Sequence, residues 1–465
     1  MIHRNSFGRL SAGFLLILAG VGTITGRLFD GGKAERPEPL LLSQAMLQGS
    51  LAYPPLVSIQ PLPEGPLCEW EPASGTTPLA ALRQQSPMQS ARTTSGQGSP
   101  DEVSRRKPLR MIRDSYASYS AVAVDAPRGE VVMTDENFFN ILVYDRLSNT
   151  PASAAMTEPK RVIGGPKTNV EFQCGLYIDP QSGDIYAVNN DTVDTLAIFS
   201  RQAKGDVAPD RELATPHGTF GIAVDELRQE LFLTVQHSSA VVVYHKTAQG
   251  KEAPLRVLQG ERTGLADPHG IALDTQNGFM YVANHGSVHQ VRPGGGTQDW
   301  GELQQNALPG TGKILPSSIT VYSLTASGDT SPLRTITGPG TQLNWPSGVA
   351  VDPERGELFV ANDAGDSILV FRTTASGNAA PLRVLQGPKT LIRNPTGIQL
   401  DLKNDELWVA NFGNHTATVF KRTAAGDSSP LRVIRSAPPG TPALIISNPG
   451  AVAYDSKREQ ILAPN

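Results

Sequence analysis

The chain has 465 residues, too many for one ordinary compact core, and it is rich in Gly (45) and Pro (37), poor in aromatics (6%) and nearly neutral overall at −4. No basic stripe interleaved with aromatic residues appears, which argues against nucleic acid as a partner. Two cysteines, Cys68 and Cys174, are too few for a disulfide framework and form no CxxC metal site.

Residues 1–27 carry His3, Arg4 and Arg9 ahead of an apolar run from Leu10 to Ile24. This pattern predicts a secretory signal peptide or a signal anchor, and hence an extracytoplasmic location: periplasmic, secreted, or tethered to the membrane by the N-terminus. Residues 28–107 follow. From about Pro61 to Lys107 they are rich in Pro, Ser, Thr, Gly and Gln without any sustained period, the composition of a largely disordered spacer.

From residue 108 to 465 one unit repeats. Its clearest copy, Pro346–Arg383, has four short apolar runs separated by turn residues, the pattern of a four-stranded antiparallel meander with strands a to d. Strand a reads G-[IV]-A-[LV]-D, as in GIAVD at 221, GIALD at 270 and GVAVD at 348. It ends in an Asp that recurs as Asp125, Asp179, Asp225, Asp274, Asp352, Asp401 and Asp455. Strand d opens with an Arg at 110, 161, 211, 256, 334, 383 and 432. Seven copies of each marker predict an all-β propeller of seven four-stranded blades, with six as the alternative. The last copy stops after strand b. The N-terminal strand Pro108–Ile112 is therefore expected to join the C-terminal blade and close the ring.

The G-[IV]-A-x-D…[LM]-[FWY]-V-A-N pattern resembles the NHL and YVTN families of bacterial β-propeller repeats, over about residues 108–465. The resemblance implies the propeller fold. Relatives include binding scaffolds as well as lactonases and lyases, so it leaves function open.

The repeated Asp and Arg are expected to be structural, as a turn-capping side chain and a polar strand contact. Asn closes strand b at 189, 284, 362, 411 and 465, either capping turns or forming a ring of amides around the channel mouth. The end of b lies beside the start of a, so the b–c and d–a loops share one face. On that face the residue before the strand-a glycine varies: Ser120, Cys174, Phe220, His269, Ser347, Thr396 and Gly450. An insertion at about 286–315, after strand b of the fourth unit, brings His289 and Trp300 there, with His285 and Asn284 at its base. His217, His237 and His415 lie in other loops expected on the same face.

These residues give two functional expectations. The first is a non-catalytic scaffold that binds a protein, peptide or glycan through His269, Asn284, His285, His289, Trp300, Asn362, Thr396 and Asn411. The second is a metal-assisted lyase or lactone hydrolase. In it a divalent ion sits at the channel mouth with His269 or His285 as ligand or base, and Asp135, Glu136, Asp191 and Asp363 are the best candidates for the carboxylates it requires there. No HExxH, GxSxG, SxxK or phosphate-loop signature is present.

Overall fold

The computed structural model describes residues 114–190, 193–288, 312–444, 453–455, 457 and 460–462. The expected signal segment, the spacer, the strand Pro108–Ile112, Asp191, His289 and Trp300 lie outside the described residues.

The described chain is a β-propeller of six blades, each an antiparallel four-stranded meander built from consecutive segments. Strands a of blades one to six are Tyr119–Asp125, Gln173–Ile178, Thr219–Asp225, Pro268–Asp274, Pro346–Asp352 and Pro395–Asp401. Each continues through strands b and c to a short outer strand d that starts at the repeated Arg. In blade five, for example, b is Glu357–Asn362, c is Ser367–Arg372 and d is Arg383–Leu385. Strands b and c are buried on both faces, which explains their nearly unbroken Val, Ile, Leu and Phe runs. Six apolar clusters fill the six junctions between blades.

The expectation of seven blades is therefore corrected to six. Six strands a already complete the circle: Thr396 Oγ1 of blade six donates to the Ser120 carbonyl of blade one at 2.8 Å. Tyr119, Met133 and Tyr144 pack with Trp408, Val419 and Ile434 across the same junction. Among the described residues the seventh copy of the marker, Ala453–Asp455, pairs only with Gln460–Leu462, in a separate two-stranded sheet. The expected closing strand Pro108–Ile112 lies outside the described residues; blades one and six are each complete from their own four strands.

A recurrent loop covers the exposed edges of the blades. The glycine of each c–d turn forms a parallel bridge to strand d of the blade before it, at Ile163–Gly205, Leu213–Gly250, Leu258–Gly328, Ile336–Gly377 and Leu385–Gly426. In four of these five the side chain after the glycine, an Asp or Asn, then accepts from the previous blade's d–a loop, as in Lys389 N to Asp427 Oδ1 at 2.7 Å and Gly340 N to Asn378 Oδ1 at 2.6 Å. These bonds satisfy edge groups that would otherwise be open to pairing with another chain. At the sixth junction the longer c–d loop of blade one does the same work. Thr150 N donates to the Val433 carbonyl at 2.7 Å, and Thr157 N to the Arg435 carbonyl at 2.9 Å.

The repeated polar residues are structural. Each strand-a Asp caps its a–b turn, as in Arg355 N to Asp352 Oδ1 at 3.2 Å and Asn404 N to Asp401 Oδ1 at 3.1 Å. In blades one, three, five and six the strand-d Arg bonds the Glu that opens strand b, while Arg211 and Arg334 bond carbonyls of the next blade. Arg383 bonds both Glu357 oxygens at 2.6 and 2.7 Å, reaches the Arg422 carbonyl of the next blade, and lies over the Phe359 ring. This pairing lowers the Glu357 pKa. Lysine cannot reproduce the fork or the ring contact. Arg383→Lys should therefore cost about 1 kcal/mol in a urea melt at pH 7.

Candidate functional site

Strands a line a central channel of about 290 Å³, and the side chains that distinguish one blade from another gather at one end of it. Every strand a carries a register irregularity near its start, for example between Pro268 and Ile271 and between Pro346 and Val349. Such a bulge turns one side chain away from the alternation of the sheet. Here the affected residues are those before the strand-a glycine, so Cys174, Phe220 and Thr396 come to line the channel. Just below, the five glycines themselves allow the blades to meet: a Cβ on Gly221 would sit 2.3 Å from the His269 carbonyl oxygen.

A second ring is formed by the residue that follows strand b. Its backbone N–H is held in the same way in all six blades, donating to the carbonyl of the d–a loop. Glu136 N bonds Ser118 O, Asn190 N bonds Phe172 O, Gln236 N bonds Gly218 O, His285 N bonds Asp267 O, Asp363 N bonds Trp345 O and Phe412 N bonds Asn394 O. The backbone is six-fold, yet the six side chains are Glu, Asn, Gln, His, Asp and Phe.

The blade-four side of the mouth is the most elaborated. His269 is buried, and its ring stacks on His285 with centroids 3.3 Å apart; His285 in turn stacks on Trp345 at 5.1 Å. Phe220 flanks the other side of His269 at 4.3 Å. His269 Nδ1 lies 3.0 Å from the Asp267 carbonyl and its Nε2 lies 2.6 Å from Gln236 Nε2. This arrangement selects the tautomer with the proton on Nδ1 and leaves Nε2 to accept from the Gln236 amide. Burial pushes His269 down to about 4 and also lowers His285, so both imidazoles are neutral at physiological pH. The Asp267 carboxylate lies 3.6 Å from His269 Nδ1 and 4.0 Å from His285 Nδ1.

Carboxyl groups elsewhere around the mouth are pushed the opposite way. Burial raises Glu136 to about 8, and the nearby charges of Asp135 and Asp363 add to the shift. Burial raises Asp135 to about 7, and Asp267 and Asp363 to about 6. Cys174, also buried, has its thiol 3.9 Å from Glu136 Oε1.

The residues singled out from sequence divide between the mouth and the layer beneath it. His269, His285 and Thr396 are at the mouth, with Glu136 and Asp363. Asn284, Asn362 and Asn411 are buried at strand ends, where their amides hold the d–a loops. Ala266 N donates to Asn284 Oδ1 at 3.0 Å and Asn344 N to Asn362 Oδ1 at 2.6 Å, while Asn411 Nδ2 bonds Thr416 Oγ1 at 3.1 Å. Asp135 holds the equivalent place in blade one, accepting from Ser118 N at 2.9 Å. His415 is fully buried, bonded to the Ala117 carbonyl at 2.9 Å. His217 pairs with Asp194 at 3.0 Å and lies beside His237. The insertion leaves blade four through a short ribbon, Ser287–Val288 against Lys313–Ile314. Sequence reasoning passed over Asn190, Gln236, Asp267, Trp345 and Phe412. For Asn190, Gln236 and Phe412, which directly follow strand b, the signal that could have found them is the same one that found His269: a position that varies from blade to blade in an otherwise repeated frame.

No family model matches the chain, and no curated protein matches it. Among solved structures it is similar to one titled Kuenenia stuttgartiensis hydrazine synthase. That likeness has 11% identity and a TM-score of 0.44, and covers 69% of this chain and 100% of that one. It is also similar to a chain of a nidogen/laminin complex, with 14% identity and a TM-score of 0.41 over 69% of this chain and 92% of that one.

Proposed function

We propose that this protein is a ligand-binding propeller that takes a peptide or glycan segment at the channel mouth, through a positively charged or hydrogen-bond-donating group. The observation that supports this most is the broken symmetry of the mouth. One backbone position, held identically in six blades, presents Glu136, Asn190, Gln236, His285, Asp363 and Phe412. A scaffold needs no such variety; a site for one particular ligand does. The chemistry of the mouth suggests the class. Carboxyls, amides and hydroxyls there accept hydrogen bonds, and the half-exposed indole of Trp345 offers a face for a sugar ring or a cation. Such a scaffold would work outside the cytoplasm if the N-terminal segment acts as a signal.

Peptide and glycan arrays identify hits, and titration then measures their affinity. Trp345→Ala, and separately Glu136→Gln combined with Asp363→Asn, should each weaken the hits by about tenfold or more. The carboxamide pair should also flatten the salt dependence. Hits that bind both variants as tightly as the parent would place the ligand elsewhere and sink this reading.

A further inference from the structure

We infer that Asp267, His269 and His285 form a binding site for a transition-metal dication, Zn²⁺ by ligand type, on the blade-four side of the channel mouth. The inference goes beyond the peptide or glycan reading and does not depend on it. One ligand atom from each of the three residues lies within 4.8 Å of the other two, and no ion is bound. Imidazole with carboxylate is a donor set that suits zinc.

Three further observations carry it. First, His285 Nε2 is buried and has no hydrogen-bond partner. An orphaned imidazole nitrogen beside another buried histidine is an expensive arrangement, and a cation would satisfy it. Second, the Asp267 carboxylate faces both rings, 3.6 Å from His269 Nδ1 and 4.0 Å from His285 Nδ1, so one anionic group and two imidazoles converge. Third, Glu136 and Asp363 occupy in blades one and five the position that His285 holds in blade four, so further carboxyl groups surround the same mouth, where a dication would be attracted.

Ligand atoms about 2 Å from a zinc ion lie roughly 3 to 3.5 Å apart, so binding requires the three side chains to swing inward. Asp267 and His285 are only part-buried and have room to do so. His269 ligates through Nδ1, which faces Asp267, once its proton moves to Nε2; Gln236, its amide turned to present the oxygen, then accepts from Nε2–H as an outer partner that orients the ring. Three protein ligands at the end of an open channel leave a coordination position facing the cavity.

Chelator-stripped full-length protein, titrated with Zn²⁺ alone by calorimetry, should bind one ion per chain with a dissociation constant in the micromolar range or below. Loading with Co²⁺ instead should give visible ligand-field bands. Asp267→Asn and His285→Gln, at the part-buried rim, should fold and weaken Zn²⁺ binding by more than about tenfold while abolishing the Co²⁺ bands. His269→Ala should do the same, with circular dichroism reporting whether this buried change still folds. Exposed His245→Ala should leave both readouts unchanged. Absence of binding at 100-fold molar excess, or unchanged binding in both rim variants, would overturn the site. Neither result bears on the array hits, which are scored without metal.

Discussion

Gly270→Ala should lower the stability of the ring by about 3 kcal/mol, more than any other single methyl group added to the channel wall. A Cβ at Gly270 would lie 2.3 Å from the Ser347 carbonyl oxygen and 2.9 Å from Gly348 Cα and Val349 N. All three atoms are backbone of the next blade, so no side chain can rotate aside. Relief requires the two blades to separate, and the channel is where all six crowd together. The methyl group itself is not the difficulty. Alanine stands in the equivalent place of blade one, as Ala121. Gly377→Ala is the control. That residue has a φ of 62° and open space around it, so alanine there brings only backbone strain of about 1 kcal/mol. Urea melts of the two variants should therefore differ by about 2 kcal/mol, and equal losses would mean that close approach does not limit the channel.

Asp135→Asn should stabilise the protein, with a gain that grows from about pH 4 and levels off just above pH 7. Asp135 is fully buried and its pKa is raised from 3.8 to about 7. Between those values the folded state holds a proton that the unfolded state has released. Stability contributed at this residue is therefore highest below pH 4 and falls as pH rises through 7. Asparagine keeps the acceptor for Ser118 N and cannot ionise. It is also the residue that blades two, four, five and six place at this position. The variant should match the parent near pH 4 and exceed it at pH 8 by on the order of 4 kcal/mol, the rise from 3.8 to about 7 at about 1.36 kcal/mol per pH unit. Denaturant melts at the two pH values read the difference directly. A gain of the same size at both would show that ionisation is not the cause. Removing this charge should also let the neighbouring Glu136, whose pKa Asp135 helps raise, ionise at lower pH.

The blade was legible because each of its parts has a local cause. Gly348 permits close approach, Asp352 caps a turn, and the run Leu358–Ala361 is buried on both faces; such causes leave marks in a single copy. The number of blades has no local cause. It depends on whether strand a of the sixth copy can reach strand a of the first, which is decided by the packing of Trp408 and Ile434 against Tyr119 and Met133. A seventh marker at Asp455 carries no information about that fit. The strand-b asparagines illustrate a different limit. Asn362 and Asn411 recur, and recurrence on a polar residue is compatible with a ring of ligands. In the structure their amides are used up by backbone and hydroxyl groups beneath the mouth. Asp267 and Trp345 were illegible for the opposite reason. Each occurs once, in a loop whose register is apparent only when six copies are superposed in space.

The looped edges of the blades have a consequence for the order of the chain. Each blade is made from one uninterrupted segment, and the junction between the last and the first is made by the same kind of loop as the other five. No sheet would be divided if the polypeptide were opened at a different d–a connection. The points where the chain enters and leaves the circle already touch, through Leu444 N and Asp114 Oδ2 at 2.9 Å. Where the first blade begins is thus a property of the gene and not of the architecture, and a circular permutant would face the same six junctions as the original.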